Sequence, residues 1–164
     1  MSGIEGLLKA LVTSQAKFIV VGAYAAITQG SRLRTDDLDI CYERTADNYR
    51  KIVQAIGLFH PRLRDLPEGL KAPFDERSLA QGTNFTLVTD LGNLDLLGEL
   101  SGVGGYREII HDSKEFQFED FKFRVASLDT IIRPKEAADR PKDRATLPEL
   151  KALRGIQQSG RDKK

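Results

Sequence analysis

The segment Asp37–Tyr42 is the feature that most constrains the fold of this 164-residue chain, because its residues alternate at period two. Asp37 and Asp39 alternate with Leu38 and Ile40. Successive side chains of a β-strand point to opposite faces of the sheet. The pattern therefore predicts a strand with two carboxylates side by side on one face and apolar side chains on the other, directed into a core.

A short apolar run with a glycine after it precedes that strand. Phe18–Val21 is rich in β-branched residues, and Gly22 separates it from a stretch of small residues that begins at Ala23. This order is typical of a strand, a sharp turn and a tightly packed helix, which should end near Gly30. The turn leaves backbone N–H groups that can meet phosphate oxygens, although an ordinary strand-to-helix turn has the same sequence pattern.

The remaining patterns alternate between helical and strand spacing and predict an α/β fold: a short mixed sheet with helices on one face. We expect one domain over residues 1–156 and a disordered tail over 157–164, because that end is polar and charged. One expected helix ends near Ser14, three cover 46–56, 75–80 and 147–154, and another begins after Ser127. A hairpin is expected over 85–97, a further strand or hairpin over 116–125, and a flexible loop over 102–105.

Composition excludes several classes of protein. The 25 basic residues nearly balance the 24 acidic residues, so the net charge of +1 creates no global field that would capture nucleic acid or a membrane surface. Cys41 is the single cysteine and cannot form an intramolecular disulfide. The start lacks the pattern of a signal peptide, and no apolar run approaches the roughly 20 residues of a membrane span. We expect a cytoplasmic protein with no membrane partner.

A third acid, Asp95, lies within the second strand of the predicted hairpin 85–97. Neighbouring carboxylates repel each other unless a cation lies between them, and Mg²⁺ prefers such hard oxygen ligands. Asp37, Asp39 and Asp95 are therefore candidate ligands for Mg²⁺ or Mn²⁺. The alternative is that two aspartates on a strand are simply solvated, and the spacing alone does not decide between these interpretations.

The loop between the glycine turn and the acidic strand is basic and polar. Ser31, Arg32 and Arg34 can supply hydrogen-bond donors and positive charge close to the aspartates, and thus bind phosphate. Each of these side chains taken alone is more typical of a solvated loop. The combination of glycine turn, basic loop and paired acids is what indicates a nucleotide site.

Taken together, these motifs resemble the signature of the DNA polymerase β-type nucleotidyltransferase superfamily. The resemblance rests on 20–26, Gly30, Arg34-Thr35 and the acidic strand, and it extends from about Phe18 to Leu153. Further motifs are similar to a bacterial branch of minimal nucleotidyltransferases whose relatives include toxins of the AbiEii type. Those motifs are 92–99, 102–106 and 140–143.

The resemblance implies a function and assigns roles. Asp37 and Asp39 would bind the metal that carries a nucleoside triphosphate, and Asp95 would join them and help activate the acceptor hydroxyl. The reaction would move a nucleoside monophosphate from an NTP, such as ATP, to an RNA end or a protein hydroxyl. The chain would belong to a toxin–antitoxin or phage-defence pair, with a cognate partner. Lys135, Arg140 and Lys142 match basic positions that would approach phosphates, although a helix-surface role explains them equally well.

Two positions depart from that pattern. Ala23 stands where the superfamily usually has glycine or serine, which removes a phosphate hydrogen bond of roughly 0.5–1.5 kcal/mol. Pro134 is expected to break a helix that the family would continue. These departures leave a second hypothesis open, in which the chain is a catalytically weak or inactive binding module that regulates a partner.

The other chemically notable side chains have simpler interpretations. His60 and His111 lie far from the acidic strands in the sequence and are expected at the surface. Cys41 is expected to be a small buried thiol, because no histidine is placed to activate it. The aromatic residues of 116–123 could stack on a base, but a hairpin or core face is the more typical role.

Overall fold

The computed structural model describes residues 2–67, 69–70 and 72–162. In this part of the chain seven strands form one mixed sheet, and two further strands form a separate small ribbon. The strands are β1 (Phe18–Val21), β2 (Asp37–Tyr42), β3 (Arg62–Leu63), β4 (Asn84–Thr89), β5 (Gly92–Leu97), β6 (Glu99–Leu100), β7 (Gly104–Gly105), β8 (Lys114–Phe118) and β9 (Phe121–Val125). The helices are α1 (Gly3–Thr13), α2 (Gly22–Thr28), α3 (Ala46–Gly57), α4 (Glu76–Gln81), α5 (Tyr106–Ile109), α6 (Leu128–Ala138) and α7 (Pro141–Asp162).

The large sheet has the strand order β3-β4-β5-β2-β1-β9-β8. Strand β2 runs antiparallel to β1 but parallel to β5, and β1 runs parallel to β9. The predicted α/β fold with a mixed sheet is confirmed. The β4–β5 and β8–β9 hairpins also match the sequence patterns, since each joins two consecutive antiparallel strands.

One hydrophobic core holds the sheet and its helices together. Leu38 and Ile40 of β2 are fully buried, as their alternation predicts, and Leu7, Leu8 and Leu11 form the buried side of α1. All four residues of β1 are buried, so both faces of this central strand are covered. The packing around β1 thus extends beyond the single helical layer that the sequence predicts.

Helix α6 corrects one prediction. Pro134 lies inside this helix and does not break it. Ser127 caps its first turn by accepting a hydrogen bond from the Thr130 backbone, and Ile131 and Ile132 are buried. An internal proline costs ~3 kcal/mol of helix stability, but burial of the apolar face supplies a larger stabilisation here. The helix ends at Asp139, which adopts the left-handed conformation.

Helix α7 is longer than predicted. Pro141 occupies its first turn, where the missing N–H is tolerated, whereas Pro148 lies inside the helix and not at its start. The helix continues to Asp162, so residues 157–162 are helical and the prediction of a disordered tail is wrong for them. Extending an established helix is far less costly than nucleating one, which is why a polar end can remain helical. Residues 163 and 164 lie outside the described residues.

Two connecting segments contain more structure than predicted. The loop expected at 102–105 contributes Gly104 and Gly105 to the β6–β7 ribbon. The region from 59 to 82 contains α4 near its predicted position, together with the short edge strand β3. Among the helices in the described ranges, none is long and apolar enough to cross a membrane.

Candidate functional site

The register of two strands, β2 and β5, assembles a row of acids. Asp39 of β2 lies directly opposite Asp95 of β5, and Asp37 lies opposite Asn93. The Asn93 Nδ2 donates to Asp37 Oδ1 at 2.8 Å. Paired residues on adjacent strands share a face, so the predicted side-by-side arrangement of Asp37 and Asp39 extends across the sheet to Asp95.

Asp39 is the most perturbed acid of the row. Burial raises the pKa of this carboxyl to about 7, and the charges of Asp95 and Asp37 and a hydrogen bond shared with Asp95 add to the rise. The guanidinium of Arg64 opposes the shift. A carboxyl group with such a pKa holds a proton through much of the neutral range, because its neighbours make a second negative charge unfavourable.

Arg64 lies immediately after β3 and contacts the acid row from the edge of the sheet. Its Nη2 donates to Asp95 Oδ1 at 2.8 Å and to the Leu87 carbonyl at 3.3 Å. Asp95 is therefore already paired with a positive charge. The Nε of Arg64 is buried and has no hydrogen-bond partner among the described residues.

Gly22 brings the end of β1 against the acid row. Its φ of +67° lies in the left-handed region, and a Cβ built at this position would overlap the Oδ2 of Asp39. Residues other than glycine rarely adopt that conformation, and here the space is also taken. The backbone conformation and the lack of space for a side chain thus both require glycine at the predicted turn. The backbone of Gly22 lies directly beside Asp39.

A cavity of about 530 Å³ opens beside this turn. Gly22, Asp37 and Asp39 lie on the sheet side of the cavity, which we call the acid wall. A second group of lining residues, which we call the basic wall, comes from α6, α7 and the segment between them. The described lining includes the predicted residues Ala23, Arg34, Lys135, Arg140 and Lys142, together with the unpredicted polar residues Asn84, Glu99, Ser101, Thr130 and Thr146.

A buried carboxylate organises the basic wall. Asp143 is fully buried and accepts a hydrogen bond from Arg140 Nε at 2.7 Å, and Lys135 Nζ lies 3.6 Å from its other oxygen. The hydrogen bond from Arg140 holds the pKa of this carboxyl below its usual range. Asp143 thereby fixes two cations, from two different helices or their junction, beside the cavity.

The predicted site residues are only partly brought together. Ser31 does not line the cavity: its hydroxyl donates to Glu149 of α7 at 3.1 Å, and its own oxygen accepts the Leu33 N–H. Arg32 also lies outside the lining, and its backbone N–H donates to the same Glu149 carboxylate. These residues anchor the basic loop to α7. Asp95 lies behind the lining, paired with Arg64.

The donor set can be tested against the predicted Mg²⁺ or Mn²⁺. Throughout residues 2–67, 69–70 and 72–162, no three histidine, cysteine or acidic side chains are arranged to hold a metal ion. Asp37 and Asp39 nevertheless border the cavity with hard oxygen atoms. Magnesium commonly uses one or two carboxylates and completes its shell with water and substrate phosphates. The chemistry of this pair therefore fits one such ion, whereas Asp95 is engaged elsewhere.

Sequence reasoning missed the partners of the predicted residues. Arg64 falls in the region from 59 to 82, which is interrupted by prolines and glycines and has no periodic pattern. No sequence feature therefore indicated its contact with Asp95. Asn93 and Asp143 were visible within the quoted motifs, but without a role. The only available signal for Asp143 was its position three residues after Arg140, which suits an ion pair across one helical turn.

The remaining predictions concern residues outside the cavity. His60 and His111 are exposed, as expected, and His60 pairs with Asp90 on the surface. Cys41 is fully buried, and burial raises the pKa of its thiol to about 12. Phe116 packs against Phe123 across the β8–β9 hairpin at a ring distance of 5.5 Å, which confirms the hairpin role.

Comparison with known proteins supports the fold and goes no further. No protein-family model and no curated protein sequence matches the chain. Among solved structures, a putative nucleotidyltransferase from Thermotoga maritima superposes with a TM-score of 0.55 and 15% sequence identity, over 87% of this chain and 86% of that one. At this identity the similarity concerns the architecture alone. The chain shares the fold of that nucleotidyltransferase-like structure.

Proposed function

We propose that the chain is a metal-dependent nucleotidyltransferase that moves a nucleoside monophosphate from an NTP, such as ATP, to an acceptor hydroxyl. The observation that carries the proposal is the cavity itself: Asp37, Asp39 and the Gly22 turn line the same cavity of about 530 Å³ as Lys135, Arg140 and Lys142. Ligand cavities for small molecules commonly have volumes of 300–1,000 Å³. The shared fold with a nucleotidyltransferase-like structure agrees with this proposal.

The acid wall and the basic wall would bind different parts of the nucleotide complex. Asp37 and Asp39 would hold one Mg²⁺ or Mn²⁺ that coordinates the triphosphate. Lys135, Arg140 and Lys142 would bind phosphate oxygens from the basic wall, where charge-assisted hydrogen bonds are strong. Arg34, Gly22 and Ala23 line the same cavity between the walls and complete the nucleotide site.

The reaction would join the acceptor oxygen to the α-phosphorus and break the bond from that phosphorus to the bridging oxygen, so that pyrophosphate leaves with the electron pair. A metal ion held by Asp37 and Asp39 would neutralise negative charge on the reacting phosphates. The cations of the basic wall would stabilise the departing pyrophosphate. Asp95, opposite Asp39 on β5, would help to activate the acceptor hydroxyl by taking up its proton.

The acceptor would be an RNA end or a protein hydroxyl. The motif resemblance to the AbiEii-type branch motivates this choice, together with a role in a bacterial toxin–antitoxin or phage-defence pair acting in the cytoplasm. A cognate partner protein belongs to the same proposal. Copurification from cells that express the chain together with the products of adjacent genes tests the partner directly.

The proposed reaction is tested with four labelled NTPs, Mg²⁺ or Mn²⁺, total cellular RNA and total protein. We expect labelled product from the wild type and none from Asp39→Asn, because that substitution removes a metal ligand. The matched control is Asp36→Asn, an exposed neighbour outside the cavity lining. Absence of product with every NTP, in a protein that is folded by circular dichroism, would reject the enzyme.

A second candidate is a non-catalytic module that keeps the fold and regulates a partner. The pairing of Asp95 with Arg64 favours it, since the guanidinium already contacts the Oδ1 atom that a second metal ion would need. The methyl group of Ala23 also lines the cavity where a hydroxyl would help to bind phosphate. Such a module would bind its partner equally well with Asp39→Asn, whereas the enzyme would lose transfer.

A further inference from the structure

Arg64 is built into the same cross-strand row as the acids. Its backbone N–H donates to the Thr86 carbonyl at 2.9 Å, and Thr86 pairs with Asp95, which in turn pairs with Asp39. The backbone of β3 and β4 therefore fixes the point from which the Arg64 side chain reaches the acids. The position of the Arg64 side chain is therefore fixed by the sheet.

The guanidinium makes one charged contact and little else. Arg64 Nη2 contacts Asp95 Oδ1 and the Leu87 carbonyl, while the buried Nε finds no partner among the described residues. The Arg64 and Asp95 side chains are only 29% and 22% exposed. A partly buried arginine with an unpartnered Nε is poorly compensated by hydrogen bonds, so the positive charge beside Asp95 is its main contribution.

We propose that Arg64 is a built-in counter-cation at Asp95, so that the acid row takes up one divalent ion, at Asp37 and Asp39, and Arg64 occupies the place of a second. This inference rests on the divalent-ion site of the proposed function. A divalent ion bound to Asp95 Oδ1 would lie within a few ångströms of the guanidinium, and like charges at that distance repel strongly in a partly buried site. The arginine and a second ion therefore exclude each other.

Removal of the charge should add one metal site. We propose to count bound Mn²⁺ by isothermal titration calorimetry and by electron paramagnetic resonance at pH 7.5, without nucleotide. Arg64→Gln keeps a hydrogen-bonding side chain but removes the charge, and we expect it to bind one Mn²⁺ more than the wild type. Arg64→Lys keeps the charge and should bind the wild-type number.

Two further variants identify the added site. Arg62→Gln lies on the same edge strand, is exposed and has no hydrogen bond to the acid row among the described residues, so it should leave the number of bound ions unchanged. Asp95→Asn in the Arg64→Gln background should remove the added ion. Circular dichroism and thermal melting confirm that each variant is folded before ions are counted.

Each outcome separates this inference from the proposed function. One ion in the wild type and two in Arg64→Gln support both. No ion in the wild type and one in Arg64→Gln support the counter-cation but overturn the proposed wild-type metal site. Equal numbers in the two proteins overturn the counter-cation, whether the number is zero, one or two, and two ions in the wild type overturn it as well. If Arg64→Gln does not fold, the same count is made on Arg64→Met, and an equal number of ions in Arg64→Met and the wild type overturns the counter-cation.

Discussion

The acid wall and the basic wall of the cavity are built by different means. The aspartates lie on β2 and β5, where strand register alone puts Asp39 opposite Asp95. The cations come from α6, α7 and their junction, and a buried acid, Asp143, holds two of them. Asp37 and Asp39 of the acid wall therefore share one short strand, whereas the basic wall depends on how two helices pack.

The electrostatic states of the walls differ accordingly. The acids of the sheet crowd charges of one sign, and the pKa of Asp39 rises to about 7. In the basic wall opposite charges meet, and the pKa of Asp143 falls. A cation bound at the acid wall would thus relieve the repulsion between its carboxylates. In the basic wall, Asp143 already neutralises part of the positive charge. The following substitutions test this contrast, from the largest expected effect to the smallest.

Asp39→Asn should stabilise the folded protein at pH 8 by roughly 2–4 kcal/mol, since one pKa unit corresponds to ~1.4 kcal/mol. The folded pKa of Asp39 is raised to about 7 from an ordinary value of 3.8, so between these values the folded state binds more protons than the unfolded state. The wild type should therefore lose stability as pH rises from about 4 to 7. Urea denaturation at pH 4, 6 and 8 measures this difference.

The stabilisation should become small near pH 4, where Asp39 is protonated in the folded protein and about half protonated in the unfolded protein. Asp36→Asn, on the exposed loop before β2, provides the control and should change stability little at any pH. A stability gain for Asp39→Asn that does not depend on pH would contradict the raised pKa of Asp39, from burial and from its acidic neighbours, as the cause.

Gly22→Ala should destabilise the protein by about 1–3 kcal/mol, because a non-glycine residue at φ +67° is strained and its methyl group would displace the Asp39 carboxylate. Nucleotide binding should also weaken. Urea denaturation and nucleotide titration measure the two effects. Gly57→Ala is the matched control, since Gly57 ends α3 and no atom lies near its position for a Cβ. A Gly22→Ala protein as stable as Gly57→Ala would show that this close approach is unimportant.

Asp143→Asn should weaken nucleotide binding roughly tenfold, which is the effect of losing one charge-assisted hydrogen bond. Without the carboxylate, Arg140 and Lys135 are no longer held beside the cavity. Titration with a non-hydrolysable NTP analogue in the presence of Mg²⁺ measures the change. The control is Asp139→Asn, whose acid pairs with Arg144 and lies outside the cavity lining. Equal affinity in both variants would indicate that Asp143 has no part in the basic wall.

The acid wall was predictable because short-range patterns determine it. Alternation over six residues predicted β2 and the shared face of Asp37 and Asp39. Two apolar runs joined by a turn at 90–92 predicted the β4–β5 hairpin with Asp95 in its second strand. The parallel pairing of β2 with β5 was not encoded in either pattern. It depends on the packing of strands that are 55 residues or more apart in the chain.

The basic wall and its connections were less predictable for the same reason. Pro134 and Pro148 marked helix boundaries by local propensity, yet tertiary packing keeps both inside helices. Arg64 follows a two-residue strand that becomes ordered only by pairing with β4. Ser31 appeared to be a phosphate ligand from its position in the basic loop, but Glu149, more than one hundred residues away, holds its hydroxyl.

Because Cys41 is buried, the rate at which its thiol is alkylated would measure how often β2 opens. This thiol is fully buried on β2, two residues after Asp39, and with a pKa of about 12 it carries almost no thiolate at neutral pH. Alkylating reagents can therefore react with this thiol only when β2 separates from the neighbouring strands. Because the chain has one cysteine, the labelling rate follows a single strand, and the strand that it follows is the one that holds Asp37 and Asp39.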